Sequence, residues 1–294
     1  MNLRPLRSVW SRLTQSTLAT LPPASVLVTG ASGYVATSIR HELCTEFGNV
    51  RLTDCVPLPV SIDEGREHFL LADLANADRV LEVVRGVQQI VHLGAYSGDA
   101  RIENLTDPNV HGVTHLLDAA VAQGVSRVVL MSSMHVLGLY RRGEVVTPHS
   151  VPRPDSFYAL TKLYAESLAR LYHERHGLSV VIVRPGHVME RAQDAEPNNW
   201  VSGSDLARLI VLALRADNIG CEVWHAVASA GANDATHADL ARRFGFQFSP
   251  APVDAEDVEA ALHRWYPDDT LARLYRGGAF ASGRVKEATD LMTQ

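Results

Sequence analysis

The chain has almost no lysine. Lys162 and Lys286 are the only two among 27 basic side chains, the others being arginine. A lysine ammonium changes its proton affinity readily when buried and a guanidinium does not, so the lone internal lysine at 162 draws notice. Cysteine is sparse too. Cys44, Cys55 and Cys221 are far apart and odd in number, which excludes a disulfide framework and any closely spaced metal or redox pair, and fits a reducing compartment. No apolar run approaches the roughly 18 residues that a membrane span needs. Acids outnumber bases, with a net charge of −6, so no basic surface for nucleic acid or an anionic membrane is indicated. Acids are themselves missing ahead of Glu42. Residues 1–24, with Arg4, Arg7 and Arg12, are therefore set apart as an N-terminal extension. Their composition has the flavour of a transit peptide, but no long apolar segment or small-residue cleavage site follows. The expectation is a cytoplasmic protein acting on a small molecule, with no metal site.

The remainder reads as an ordinary globular chain, 46% hydrophobic and 20% charged, without internal repeats. Short apolar runs alternate with segments of helical periodicity. Strands are predicted at Val26–Val28, Val50–Thr53, His68–Leu71, Gln89–Leu93, Arg127–Met131, Ser179–Val183 and Glu222–Ala226. Helices are predicted at Val35–Phe47, Asp78–Val84, Val110–Gln123, Tyr158–His176, Asp205–Arg215, His237–Phe244 and Glu256–Tyr266. The strand runs are continuously apolar, as in strands covered by helices on both faces. Alternating strands and helices imply an α/β fold, a Rossmann-like doubly wound parallel sheet, with ligands beyond the carboxyl ends of the strands. Prolines and glycines break the rhythm after about residue 187. The expected organisation is a dinucleotide-binding domain over 25–190, completed by about 205–230, and a small helix-rich C-terminal substrate cap from 191–204 and 231–294.

The first strand leads into Gly30-Ala31-Ser32-Gly33-Tyr34-Val35-Ala36. Gly30 permits a tight turn, Gly33 lets backbone approach a pyrophosphate, and Ala36 lets the helix pack close to the strand. Ser32, Tyr34 and Val35 sit at the helix start, where free N–H groups and a partial positive charge suit an anion. Asp54 closes the second strand, where a carboxylate can bind ribose hydroxyls and repel a 2′-phosphate. That favours NAD over NADP. Asp73 and Leu74, after the third strand, are placed near the adenine, though Asp73 also suits a helix N-cap.

Tyr158 and Lys162 stand at i and i+4 and share one helix face. A phenol titrates near 10 and is a poor base at neutral pH. A nearby ammonium favours its ionised form, which could take a hydroxyl proton as hydride leaves. Ser133, just past the fifth strand, could bond the reacting oxygen. Asn109, expected to begin the helix after the fourth strand, could hold a water or backbone in a proton relay, or serve only as an N-cap.

Together, the glycine turn, Asp54, Asp73-Leu74, His92-Leu93-Gly94-Ala95, Asn109, Ser132-Ser133, Tyr158 with Lys162, and Arg184-Pro185-Gly186 resemble the extended branch of the short-chain dehydrogenase/reductase superfamily, the NAD-dependent epimerase/dehydratase family. The resemblance spans about residues 25–230. It implies catalytic roles for Ser133, Tyr158 and Lys162, with Asn109 completing the set. It implies that Leu93, Gly94 and Ala95 border the dinucleotide, that Lys162 holds the nicotinamide ribose, and that Pro185 and Gly186 contact the nicotinamide. Within that branch, Ser133–Tyr140, Glu196–Ser202 and Ala228–Asp234 are similar to segments of uronate dehydrogenases, which oxidise the anomeric carbon of hexuronic acids to a lactone with NAD. That likeness implies a sugar pocket lined by Ser97, Ser133, His135, Tyr158 and His187, with Met134 also placed on the substrate side. Three positions depart from it. Met134 replaces an expected Asn, His187 replaces a small Ser, and the Arg that would clamp a uronate carboxylate has no counterpart in register, Arg191 being near and Asn198-Asn199 lying in its region. The expected function is hydride transfer from a secondary alcohol or hemiacetal to NAD. The alternatives are a nucleotide-sugar epimerase or dehydratase that retains its NAD, and a dinucleotide-sensing protein without chemistry. The resemblance also implies a homodimer through a four-helix interface of 110–123 and 158–176, where Ala119, Ala120, Ala165, Leu168 and Ala169 suit close packing.

Overall fold

In the computed structural model of the chain, residues 24–98, 100–191, 199–228, 235–250 and 258–283 are described. The expectations at 1–23, 192–198, 229–234, 251–257 and 284–294 lie outside them. The strands are β1 (Ala24–Thr29), β2 (Val50–Asp54), β3 (Glu67–Leu71), β4 (Val87–His92), β5 (Arg127–Met131), β6 (Ser179–Pro185), β7 (His187–Val188), β8 (Trp200–Val201) and β9 (Cys221–Ala226). Seven of them form one sheet in the order β3-β2-β1-β4-β5-β6-β9, every pairing parallel. β7 and β8 make a separate small parallel pair. The helices are α1 (Tyr34–Phe47), α2 (Ala77–Val84), α3 (Ile102–Leu105), α4 (Gly112–Gln123), α5 (Phe157–His176), α6 (Gly203–Arg215), α7 (Ala235–Phe244), α8 (Val258–Trp265), α9 (Thr270–Leu274) and α10 (Ala279–Ser282).

The continuous apolar strands are buried on both faces because successive side chains point to opposite sides. Val26 and Val28 face a cluster that holds Ile39 and Leu43 of α1 and Leu206, Leu209 and Ile210 of α6. Leu27 between them faces the other cluster, with Val80 and Val83 of α2, Leu116 and Leu117 of α4, and Ala165 and Ala169 of α5. The helices thus cover both faces, and each fully buried Val, Leu or Ile adds on the order of 1.5–3 kcal/mol. Ala119, Ala120, Ala165 and Ala169 are spent inside this monomer core. The apolar side chains α5 leaves outward are Phe157, Leu160, Tyr164 and Leu171.

Two departures from the sequence expectation bear on the site. Asn109 does not begin a helix. Helical structure starts earlier, at α3, and continues through a π-helical turn over Thr106–His111 into α4. Pro108 lies in that turn. A proline lacks the N–H for the regular bond and crowds the carbonyl four residues back, which a widened turn relieves. The second departure is α7. Read from sequence as cap, it packs on the sheet: Leu240 joins the cluster of β1 and β2, and Arg243 pairs with Glu222 of β9 at 2.7 Å. The 258–283 segment instead docks on the segment after β5. Gly277 N donates to Gly138 O at 2.9 Å and Arg276 N to Tyr140 O at 3.0 Å. Arg142 donates to the Arg273 and Ala272 carbonyls.

Candidate active site

β1 is followed by Gly30, whose φ of +67° lies in the left-handed region. A Cβ there would fall 2.7 Å from Gly94 N and 2.8 Å from the Leu93 carbonyl carbon. Both the turn and the close approach of the β1 and β4 ends require glycine. Gly94 is crowded in its turn, with Leu74 Cδ1 at 2.8 Å from a hypothetical Cβ. Gly33 differs. It caps α1 from an extended conformation, and a Cβ would meet only Gly30 O, at 3.2 Å. No side chain caps α1 and no acid stands in its first turn. The N–H groups there lack an internal anion, and the space a side chain would fill is left open, which fits a dinucleotide pyrophosphate. Tyr34 is exposed beside them and Val35 packs on the core.

Asp54, at the end of β2, is fixed against this turn. Its Oδ2 accepts the Ser32 N–H at 2.9 Å and its Oδ1 the Val56 N–H at 3.3 Å. The Ser32 hydroxyl donates to the Val56 and Pro57 carbonyls. Asp73 is not the cap of α2. That role belongs to Asn76, which accepts from Arg79 N, while Asp73 accepts from Ala75 N at 2.9 Å in the turn before it. Leu74 is buried under Gly94 and Gly112. Leu93 donates its N–H to Thr29 O, and Ala95 is half-buried. His92 bonds Thr29 Oγ1 at 2.8 Å through Nδ1. Burial, with the charge of Lys162 adding to it, pushes this imidazole down to about 3, so it is neutral.

Asn109 is buried, and its amide spans two elements. Oδ1 accepts the Tyr96 N–H at 2.7 Å, while Nδ2 donates to Tyr96 O at 3.1 Å and to Thr161 Oγ1 at 2.9 Å. It therefore clips the segment after β4 to α5, and the simple N-cap alternative does not apply.

Ser133, Tyr158 and Lys162 come together at the end of β5. α5 starts from a Ser156 cap that accepts Ala159 N at 3.1 Å, which places Tyr158 and Lys162 one turn apart on its buried face. The Ser133 side chain lies beside the Tyr158 hydroxyl and favours its ionised form. Lys162 Nζ donates to Met131 O at 3.0 Å and lies 5.6 Å from the centre of the Tyr158 ring. Burial dominates both groups. It pushes the phenol up to about 12, Ser133 working against it, and pushes the lysine down to about 8, with Glu166 working against it. The expected depression of the phenol by the ammonium is not seen in the protein alone: removing a phenolate from water dominates, and what opposes it comes from Ser133.

Beside them, Asp155 Oδ2 accepts a hydrogen bond from His135 Nδ1 at 2.8 Å. Its ring stacks on Phe280 at 4.3 Å and meets the Tyr158 ring edge-on at 6.1 Å. The Asp155 carboxylate is fully buried, against Gly138 and Gly277, whose hypothetical Cβ atoms would lie 1.7 and 1.9 Å from its Oδ2. Met134 is buried with Val136, Leu137 and Val146. Pro185 and Gly186 close β6, and a Cβ on Gly186 would come within 2.4 Å of Asn199 O. His187 lies 6.2 Å from Trp265, ring centre to ring centre. Ser97 and Arg191 are exposed.

Three side chains at this site escaped the sequence reading. Glu166 stands at i+4 from Lys162 and i+8 from Tyr158, a spacing that would have revealed it. Asp155 reads as a residue ahead of a helix cap. Phe280 carries no local signal, since only the docking of 258–283 brings it to Tyr158.

The model of the NAD dependent epimerase/dehydratase family matches residues 26–200. A uronate dehydrogenase of Pseudomonas syringae pv. tomato is 35% identical over 263 residues, covering 88% of this chain and 94% of that one. The crystal structure of a glucuronic acid dehydrogenase from Chromohalobacter salexigens superposes with a TM-score of 0.78 at 30% identity, covering 88% of this chain and 97% of that one. A mutant uronate dehydrogenase from Agrobacterium tumefaciens, complexed with NAD, does so with a TM-score of 0.75 at 29% identity, covering 90% and 100%. With its seven-stranded parallel sheet and glycine turn, this chain belongs to the NAD dependent epimerase/dehydratase family and is a dehydrogenase of its extended short-chain type.

Proposed function

We propose that the chain is an NAD-dependent dehydrogenase that oxidises the hemiacetal carbon of a small sugar acid, with Tyr158 as general base. The observation that carries this reading is the buried Tyr158 beside Ser133, with Lys162 one turn away on the same helix face. The activity of the relatives supports the sugar-acid class. When bound, NAD supplies the hydride acceptor. Tyr158 Oη takes the substrate hydroxyl proton, and Ser133 Oγ holds that same oxygen. Lys162 brings positive charge to the phenol, which favours its ionised form. Asn109 fixes the Tyr96 backbone and Thr161 around them. Gly30, Gly33 and the start of α1 hold the pyrophosphate, and Asp54 takes the adenosine ribose and disfavours a 2′-phosphate. Asp73 and Leu74 border the adenine; Pro185 and Gly186 border the nicotinamide. His135, His187, Met134 and Ser97 belong to the substrate side, under the cap segment 258–283, whose Phe280 and Trp265 meet His135 and His187.

The test is NADH formation by the purified chain over hexuronates, neutral aldoses, hydroxy acids and aromatic alcohols, with NAD and NADP compared. Turnover of hexuronates with NAD is expected. Turnover restricted to neutral aldoses would move the substrate class, and tightly retained NAD with no net turnover would replace a dehydrogenase by an epimerase or dehydratase. The dimer expected through α4 and α5 would use Phe157, Leu160, Tyr164 and Leu171, the outward apolar stripe of α5. Light scattering on the wild type and on Leu160→Glu checks it.

A further inference from the structure

The face of α5 that carries Tyr158 and Lys162 continues one turn on to Glu166, whose carboxylate gathers groups from two strand ends. Oε1 accepts Ser132 Oγ at 2.5 Å and Arg184 Nε at 2.8 Å, and Oε2 accepts Arg184 Nη2 at 2.7 Å. All four of Ser132, Lys162, Glu166 and Arg184 are buried. Ser132 immediately precedes Ser133, and Arg184 immediately precedes Pro185 and Gly186.

A fork-to-fork arginine–carboxylate pair needs two groups, and a stable core does not need it, since well-packed apolar residues often do as well. Its consequence here is electrostatic. Lys162 and Arg184 bring two positive charges into the interior and Glu166 one negative. An ammonium taken out of water tends to give up its proton unless an opposite charge stands near. Among the described residues, the Lys162 ammonium is faced by Tyr158 and Glu166 on its own helix, the Met131 carbonyl from β5, His92 from β4, and Arg184 from β6 through its pair with Glu166. His92 is held neutral, so Glu166 is the anion that acts on the lysine.

We propose that Glu166 is a positioning residue of this site, holding Lys162 in its charged form and tying the strand ends that carry Ser133 and Pro185-Gly186 to the face of α5. The inference deepens the reading of Lys162 as a working residue, but its test needs no turnover.

The scarcity of lysine makes that test direct. With carbon-13 at lysine Cε only, the NMR spectrum of the full chain shows Lys162 and Lys286 alone, and Lys286→Arg assigns them. Lys162 is expected to titrate near 8. Glu166→Gln, which removes the anion and keeps the shape, should lower the Lys162 midpoint by about one unit, a tenfold loss of charged form. Arg184→Gln, which removes a competing cation, should raise it. Circular dichroism confirms that each variant is folded. Midpoints that stay with the wild type, or move in the same direction in both variants, overturn the proposal. If Glu166→Gln does not fold, Arg184→Gln decides alone: a rise supports the proposal, and no change or a fall sinks it. Should Lys162 respond as expected while no substrate is turned over, the inference stands and the catalytic reading fails.

Discussion

The two halves of the site share one edge of the sheet and are built by opposite means. At the ends of β1 and β2 the working surface is backbone: a left-handed glycine, an uncapped helix start, and a carboxylate fixed by two N–H groups. At the ends of β5 and β6 it is buried side chain: Ser133 on Tyr158, Glu166 on Ser132 and Arg184, Lys162 on a carbonyl. The first half needs little ordering of side chains and is open to solvent. The second depends on several polar groups satisfying each other away from water, where any vacancy is costly.

The largest expected effect comes from the second half. Tyr158→Phe should lower kcat by about 10²–10⁴-fold with the fold and dinucleotide binding intact. A variant within a few-fold of wild type in NADH formation would remove Tyr158 from the chemistry. Asn109→Ala should cost about 1–3 kcal/mol of stability, because the Tyr96 backbone loses its partners; the urea midpoint reads it. The two glycines set the halves' shared border against each other. Gly30→Ala should destabilise the fold by roughly 1–3 kcal/mol, for its positive φ alone, and more for the clash with Gly94. Gly33→Ala should cost at most about 1 kcal/mol in stability yet weaken dinucleotide binding about tenfold, or 1.4 kcal/mol, since the open space above it serves only a ligand. Equal stability losses in the two would collapse that distinction. A smaller effect is expected with pH. Lys162, lowered to about 8 by burial, is charged below that value and neutral above it, so the oxidation rate should fall again as pH rises past about 8. The charge also costs folding energy, so unfolding measurements should show that cost relieved between about 8 and the ordinary lysine value of about 10.4. Asp54→Asn, the mildest change, should narrow the preference for NAD over NADP by about tenfold.

How much of this was legible follows the same division. The glycine turn could be read because a backbone need is written as a residue type: only glycine tolerates φ of +67° at no cost. The strands were legible because burial on both faces demands continuous apolar runs, and Arg127–Met131 was placed to the residue. The start of the helix around Asn109 was misplaced because Pro108 signals a helix end, while the chain absorbed it in a wide turn. The role of α7 was missed because an amphipathic helix does not say which surface it covers.

The sequence by itself determined the sheet, the glycine turn and the pairing of Tyr158 with Lys162, since each is a local requirement of backbone, periodicity or helix spacing. Only the tertiary structure decided that Glu166 joins α5 to Arg184 and Ser132, that Asp155 fixes His135, and that Phe280 closes on Tyr158. Those contacts join residues from 18 to 122 positions apart, and the free energy that selects them, burial of charge and ring against specific partners, exists only once the chain is packed.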